Sequence, residues 1–435
     1  MRVSQCMIVK NEEANIRRAL SWGRDMMAEQ IVVDTGSTDR TREIAREMGA
    51  KVLSFPWRDD FSAAKNFAVS QAKGEWIAFL DADEYVPQEQ AGNLLPLLKA
   101  ADRDGYNVLA AVMFQMDQEG RVRQGGTHMR FFKRLPGLGY EGRVHEQLSA
   151  PEGGLRIAAA SGELCIVHTG YYGGEELLKE KAKRNIALIL KELEEKPGDS
   201  GLMGALGDSY MAAGDRERAR EWFLRAVAHS PEKLGDRDSR ASLTYYNLLQ
   251  LLAKADEKEF ARVLEEAMRR LPWEADIPYL GGRHYSETGR YEEAAGLLEE
   301  ALGRIERYGN VNRAMVLSGQ LGAAWERLGA CYYNLGRLED CVRCAVSVLK
   351  ATPWAPGSLS LLIHAFYRSF SQTGAPRPEE AEAFLWKLYR RESPKDRLFL
   401  ARIAGETGYK ALSERILERL TPQEAKALKG AGGKE

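Results

Sequence analysis

Asp81-Ala82-Asp83 follows directly on an apolar run at residues 76–80. Two carboxylates one residue apart at a strand tip suit a hard divalent cation. Mg2+ or Mn2+ takes carboxylate oxygens and fills its remaining positions with phosphate oxygens and water. A solvated acidic loop produces the same three letters, but the position after a hydrophobic strand and beside two other polar strand ends favours the cation. Asp34 closes the apolar run Ile31-Val32-Val33 and opens Thr35-Gly36-Ser37-Thr38-Asp39. Capping of the next helix accounts for Thr38 or Asp39. It leaves Asp34 as an acceptor for a base imide N–H or a ribose hydroxyl. Asn11-Glu12-Glu13 ends the first apolar run. Glu13 suits a helix start through the dipole, while Asn11 and Glu12 stand nearer the strand and could face a nucleotide. Lys65, on a small-residue helix start expected to be capped by Ser62, could reach a phosphate or base; a solvated lysine is the alternative.

These clusters need elements to hold them. The pattern predicts strands over residues 3–9, 30–34, 51–55 and 76–81, with helices over 12–22, 41–48 and 62–72 between them. Strands alternating with helices of this length build a parallel sheet with covering helices. Ligands bind such sheets at the carboxyl ends of the strands, where all three polar clusters fall. Residues 105–170 change to short strand-like runs broken by Gly and Pro, including 110–116, 129–133 and 166–169, which complete the sheet in mixed or antiparallel fashion.

The whole chain has 435 residues, 44% hydrophobic and 29% charged, so two or three domains are expected rather than one. A formal net charge of -1 gives no global attraction to nucleic acid. The five cysteines show no disulfide framework, and Cys341 and Cys344 form an isolated C-x-x-C in a helical stretch, which reads as packing rather than zinc. The first apolar run is too short for a signal peptide, and no run approaches the ~20 apolar residues of a bilayer span. A cytoplasmic protein is expected.

Beyond residue 175 strand signals nearly vanish. Residues 175–195 form a long amphipathic helix. Then Met203, Leu206, Gly207, Tyr210, Gly214, Ala219, Phe223, Ala226 and Pro231 match the offsets of the tetratricopeptide repeat. A second clear copy has Trp325, Leu328, Gly329, Tyr332, Gly336, Cys341, Ala345, Val348 and Pro353. A weaker copy contains Gly282, Tyr285, Gly289, Ala294 and Leu298; another hairpin ends at Pro272, and one or two more lie within 358–420. The expected division is a first domain over 1–172, a linking helix over 173–200, helical repeats over 201–425 and a flexible tail over 426–435.

Taken together, Ile8-Val9-Lys10-Asn11-Glu12-Glu13, Ile31 to Thr41 and Gly74 to Glu84 resemble the family 2 glycosyltransferases. The resemblance implies an α/β GT-A (Rossmann-like) nucleotide-sugar domain, here followed by the all-α repeats, with a UDP-sugar or similar donor and Mn2+ or Mg2+ as cofactor. It places Val9, Asn11, Glu12, Asp34, Lys65, Asp81, Ala82 and Asp83 in the donor pocket, with Asp81 on ribose or metal and Asp83 on metal. Gly142-Arg143-Val144-His145-Glu146 and Val167-His168-Thr169-Gly170-Tyr171 look like a subgroup that includes lipopolysaccharide-core glucosyltransferases and bacteriocin S-glycosyltransferases. Such enzymes invert the anomeric centre, which requires a base near the acceptor. Glu146 is the first choice for that base and His145 the second; a hydrogen-bonded core strand position is the structural alternative for His145. His168 could complete the cation's ligand shell or simply pack near the domain boundary. Arg130 and Arg134 could neutralise a diphosphate or form a basic surface patch.

Three functional readings follow. The first is an inverting, metal-dependent transferase that moves a sugar from a nucleotide-sugar to a peptide or protein held by the repeats, since repeat arrays leave a long binding surface. The second gives the enzyme a glycan or lipid-linked acceptor and leaves the repeats for homodimerisation or docking. The third is a non-catalytic scaffold, which the intact Asp81 and Asp83 disfavour.

Overall fold

The computed structural model describes all residues except 118, 152–153, 161, 170–173, 236–237, 310–314, 375–376 and 432–435. It divides into two compact units, Met1–Ala226 and Val227–Glu435. The boundary expected at 172/173 lies outside the described residues, as do Gly170 and Tyr171 of the second subgroup motif and the last four residues of the expected tail.

The first unit is built on a nine-stranded sheet. Its strands and covering helices in chain order are β1 (Val3–Val9), α1 (Ile16–Ser21), β2 (Glu29–Asp34), α2 (Thr41–Glu47), β3 (Lys51–Ser54), α3 (Phe61–Ser70) and β4 (Trp76–Phe79). Then come β5 (Glu84–Tyr85), α4 (Gln88–Ala91), α5 (Leu94–Arg103), β6 (Val108–Met116) and β7 (Val122–Lys133). A separate hairpin, β8 (Gly139–Glu141) with β9 (Gln147–Ser149), precedes β10 (Ile157–Ala159) and β11 (Cys165–His168). The sheet order is β3-β2-β1-β4-β7-β6-β11-β5, with β10 also pairing with β6. The first four strands of that order are mutually parallel, and β7 runs antiparallel to both neighbours, β4 and β6. The mixed second half expected from the sequence is present.

Strand β4 shows why the site is rigid. Trp76, Ile77, Ala78, Phe79 and Leu80 are all buried. Trp76, Ala78 and Leu80 pack with Leu94, Leu98 and Phe131 in one cluster, while Ile77 and Phe79 pack with Ala68, Phe132 and Tyr140 in another. A strand apolar on both faces is what a helix-covered parallel sheet demands. The strand stops at Phe79, short of the expected residue 81, because the Asp81 N–H leaves the ladder and donates to Glu84 Oε2 at 3.0 Å.

Helix α3 starts one residue before the expected position. Its cap is Asp60, whose Oδ1 accepts from Ala63 N–H at 2.9 Å; Ser62, expected as the cap, donates its hydroxyl to that same oxygen. Asp60 also accepts at the N-terminal end of the helix, where negative charge is favoured. Helix α5 is an element the sequence reading did not name; it buries Leu94, Leu98 and Ala101 against the sheet.

After β11, helix α6 (Gly174–Glu195) leads into helix α7 (Ser200–Ala213) and a partner over Arg216–His229. A Cβ on Gly207 would lie 2.5 Å from the Phe223 ring, so only glycine permits this approach. The second unit continues with hairpins of Ser239–Leu252 with Glu257–Arg270, Asp276–Glu287 with Tyr291–Tyr308, and Leu321–Asn334 with Leu338–Ala351. Pro356–Thr373 with Pro378–Leu385, Pro394–Glu406 with Lys410–Leu417, and Pro422–Ala431 complete it. Cys341 and Cys344 are buried, and burial pushes both thiols up to about 12, as packing residues require. No described helix is long and apolar enough to cross a membrane.

Candidate active site

The carboxyl ends of β1, β2 and β4 lie side by side, in register Val9↔Asp34 and Cys6↔Phe79. The three polar clusters therefore share one edge of the sheet, as the parallel arrangement requires.

The first two clusters knit two turns together. Asn11, in the left-handed region at φ 57, donates its N–H to Ser37 Oγ at 2.9 Å and accepts from Thr38 N–H at 2.8 Å. Glu12 N–H donates to Thr41 Oγ1 at 2.7 Å. Asp39 fulfils the expected capping role: its Oδ1 accepts the Thr41 N–H at 3.0 Å and its Oδ2 the Glu13 N–H at 3.1 Å. Asp34 is 3% exposed, and its carboxylate accepts from the Gly36 and Ser37 N–H groups of its own turn. In this conformation Asp34 shapes the loop, a structural role that the sequence reading assigned only to its neighbours. Val9 and Ala82 are buried in a common apolar cluster, so their side chains form floor beneath the site.

The third cluster is charged and densely paired. Lys65, expected either in the pocket or in solvent, is 2% exposed. Its Nζ lies 2.6 Å from Glu146 Oε1 and 3.4 Å from Asp81 Oδ1, with the Phe79 and Tyr140 ring centroids each 5.1 Å away. Burial works against its charge, but the flanking Asp81 and Glu146 carboxylates hold the ammonium above its usual range. Arg130 Nη2 donates to Asp81 Oδ2 at 3.1 Å and pairs closely with the buried Glu84. Burial would raise the Asp81 carboxyl; Lys65 and Arg130 outweigh it and bring it down to about 2. Glu84 moves the other way, because burial dominates and Asp81 adds repulsion. Arg130 is thus part of the site and not a surface patch. Arg134 is not in the site: it is exposed, and its Nε donates to the carbonyl of Gly74, at the opposite end of β4.

Asp83 and His168 form a second pair. Asp83 Oδ2 lies 3.1 Å from His168 Nε2, and the Asp83 carbonyl accepts from the Thr169 N–H at 3.0 Å. His168 Nδ1 contacts Gln115 Oε1, whose amide nitrogen faces Met113 Sδ at 3.8 Å. Burial would lower His168, but the Asp83 carboxylate raises it. A carboxylate and an imidazole whose far nitrogen is already oriented fit a divalent cation that takes its other ligands from phosphate and water. Asp81 faces Lys65 and Arg130, and among the described residues no cluster of three or more acidic, His or Cys side chains could hold a metal ion.

Glu146 and His145 lie in the bend between β8 and β9. His145 is exposed with φ 54, so the buried-strand alternative for it is corrected. The hairpin is fastened to α3 by Asn66, whose amide donates to the Tyr140 carbonyl and accepts from the Tyr140 N–H, both at 2.8 Å. A Cβ on Gly139 would meet Asn66 Oδ1 at 2.7 Å, which explains the glycine. Asn66, Gln115, Arg130 and Glu84 are site residues that sequence reasoning passed over or left ambiguous. The adjacency of Asn66 to Lys65 was the one available signal for it.

The "Glycosyl transferase family 2" family model matches residues 4–151, and a "Tetratricopeptide repeat" family model matches 202–237 and 282–308. The chain carries a family 2 glycosyltransferase domain followed by tetratricopeptide repeats. A TPR repeat-containing protein of Synechococcus elongatus is 34% identical over 235 residues, covering 52% of this chain and 56% of that protein. A glycosyltransferase of Rickettsia typhi is 36% identical over 124 residues, covering 28% and 42% respectively. The SPbeta prophage-derived glycosyltransferase SunS of Bacillus subtilis is 23% identical over 310 residues, covering 70% and 72%. The chain spans about half the length of the first two relatives. The glycosyltransferase match ends just after β9, so it encloses every site residue named above except His168 and Thr169.

Proposed function

We propose that this protein is an inverting, metal-dependent glycosyltransferase that moves a sugar from a nucleotide-sugar, in the first instance a UDP-sugar, to a peptide or protein acceptor. The observation that carries the reading is the buried ammonium of Lys65 between Asp81 at the end of β4 and Glu146 on the hairpin. It ties a candidate base to Asp81, the first carboxylate of the D-x-D sequence. The family match and the glycosyltransferase relatives support the reaction class.

Asp83 and His168 are the residues that would hold Mn2+ or Mg2+, with Gln115 orienting the imidazole. Such a cation would supply charge neutralisation for a departing diphosphate. Arg130, buried beside Asp81, adds a fixed positive charge nearby. Asn11 and the turn after β2 shape the nucleotide side. Glu146 stands on the acceptor side to take the proton of the nucleophile, as inversion by a single displacement needs. The repeats suit an extended polypeptide acceptor, because stacked helical hairpins offer a continuous binding surface.

The test is calorimetric titration with UDP-glucose, UDP-N-acetylglucosamine, GDP-mannose and dTDP-rhamnose, with and without Mn2+. Metal-dependent binding of one donor, lost in Asp83→Ala, is the expected result. Failure of every donor to bind, with or without Mn2+, would return the domain to a scaffold role.

A further inference from the structure

We infer that Glu192 of α6 is a positioning residue that holds the Gly142–Glu146 bend, and with it the candidate base, in place. This rests on the glycosyltransferase reading for its catalytic consequence. The positional part stands on geometry alone.

A glutamate this well buried needs a reason, because removing a carboxylate from water is costly unless hydrogen bonds replace the hydration. Glu192 is 3% exposed. One oxygen, Oε1, accepts from Lys196 Nζ at 3.0 Å on the same helix. The other, Oε2, accepts the backbone N–H of Arg143 at 2.9 Å. The Arg143 carbonyl accepts in turn from Phe61 N–H at 2.9 Å, at the start of α3. One residue of the bend is therefore held at both backbone ends, by α6 on one side and by α3 on the other. Glu146 lies three residues further on.

The bend needs such support. Gly142 has φ 97 and His145 φ 54, and a non-glycine residue in the left-handed region persists only where its surroundings impose it. Two further contacts join α6 to the same region: Arg143 Nη2 to Glu195 Oε1 at 2.5 Å, and Lys191 Nζ to Asp59 Oδ2 at 3.2 Å. Each of these pairs has at least one substantially exposed partner and contributes little individually. The buried, charge-assisted bond of Glu192 to a backbone N–H is the strong member of the set. Misplacing a base by even ~1 Å can cost about a hundredfold in rate, so a bond that fixes the bend acts on turnover without touching substrate.

The experiment compares wild type with Glu192→Ala, Glu192→Gln and the control Lys196→Met by two readouts. The first is hydrogen exchange of the segment containing Arg143 and Glu146. Glu192→Ala should speed exchange there about tenfold; Glu192→Gln, which keeps an acceptor oxygen, and Lys196→Met should stay near wild type. The second is release of nucleoside diphosphate from whichever of the four nucleotide-sugars binds, with water as acceptor. Glu192→Ala should lower kcat about tenfold or more while donor affinity stays within about twofold, and Glu192→Gln should recover most of the loss. Unchanged exchange in Glu192→Ala overturns the proposal, as does unchanged turnover with a donor bound. If Glu192→Ala does not fold, bend exchange about tenfold faster than wild type in Glu192→Gln or Lys196→Met overturns it, and wild-type exchange in both supports it. If wild type itself binds and turns over no donor, the transferase reading fails, and the exchange result alone still decides whether Glu192 holds the bend.

Discussion

Lys65 Nζ lies 2.6 Å from Glu146 Oε1, and this buried contact joins the hairpin that follows β7 to the helix that precedes β4. The same ammonium is 3.4 Å from Asp81 Oδ1, so Asp81 and Glu146 share one cation. A lysine that is 2% exposed keeps its charge at such a position only with acids of this kind beside it.

Replacing Lys65 with Met should therefore damage stability and turnover at once. The two carboxylates lose their shared counter-ion, and since both keep some solvent contact the expected destabilisation is about 2–3 kcal/mol, below the cost of breaking a fully buried pair. Urea unfolding measures it. A Lys65→Met protein as stable as wild type would show that the ion pairs contribute nothing net.

Glu146→Gln should lower sugar transfer by a factor of about a hundred or more, with donor binding kept. His145→Ala should retain most activity, since the imidazole is exposed whereas Glu146 pairs with the buried Lys65. Rates for the two variants with one donor settle the assignment; the reverse ranking moves the base to His145.

Gly207→Ala should destabilise the first repeat hairpin. Alanine gains about 1 kcal/mol of helix propensity, but its methyl would meet three Phe223 ring atoms below 3.0 Å. Phe223 is fully buried and has nowhere to withdraw, so overpacking of about 1–3 kcal/mol wins. A raised thermal midpoint in this variant would contradict the close approach.

Much of the donor half was legible because the information was local. The apolar runs bounded strands, and parallel order then forced their polar ends onto one edge, bringing residue 11, residue 34 and residue 81 together without any knowledge of contacts. What stayed hidden depends on long-range pairing. Arg130 and Glu84 are 46 positions apart, and nothing in either neighbourhood says that the arginine is buried rather than part of a basic patch. The cap of α3 was misassigned to Ser62 because Asp60 and Ser62 are both good capping types, and backbone geometry alone separates them. Asp34 also holds its own turn, accepting from the Ser37 N–H, a role that its place at the strand tip does not announce.

In the second unit, Glu424 should make the docking of the last helix pH-dependent. Arg397 donates to its carboxylate at 2.6 Å and Thr421 N–H at 2.8 Å, and these bonds bring the carboxyl down to about 2. A depressed carboxyl contributes stability that is present above its unfolded value, near 4.5, and is lost as pH falls towards 2. Proteolysis of the Pro422–Ala431 helix should thus separate wild type from Glu424→Gln above about pH 5, and the difference should shrink below about pH 4. A constant difference across that range would show that the Arg397 pair is not what docks the helix.

Gln115 supplies the test of the metal arrangement, because it touches His168 but not the expected position of the cation. With Gln115 Oε1 on Nδ1, the His168 ring presents Nε2 towards Asp83. Groups that orient a metal-ligating histidine typically change affinity by about 10–100-fold when removed. Gln115→Leu should therefore shift the Mn2+ concentration needed for donor binding upward by at least about tenfold, while saturating Mn2+ restores full binding. Asp83→Ala should not be rescued at any Mn2+ concentration, since it removes a ligand. Titrating Mn2+ at fixed donor distinguishes the two. An unchanged Mn2+ requirement in Gln115→Leu would mean that His168 pairs with Asp83 for structure alone, and that the cation is held by carboxylate and phosphate without the imidazole.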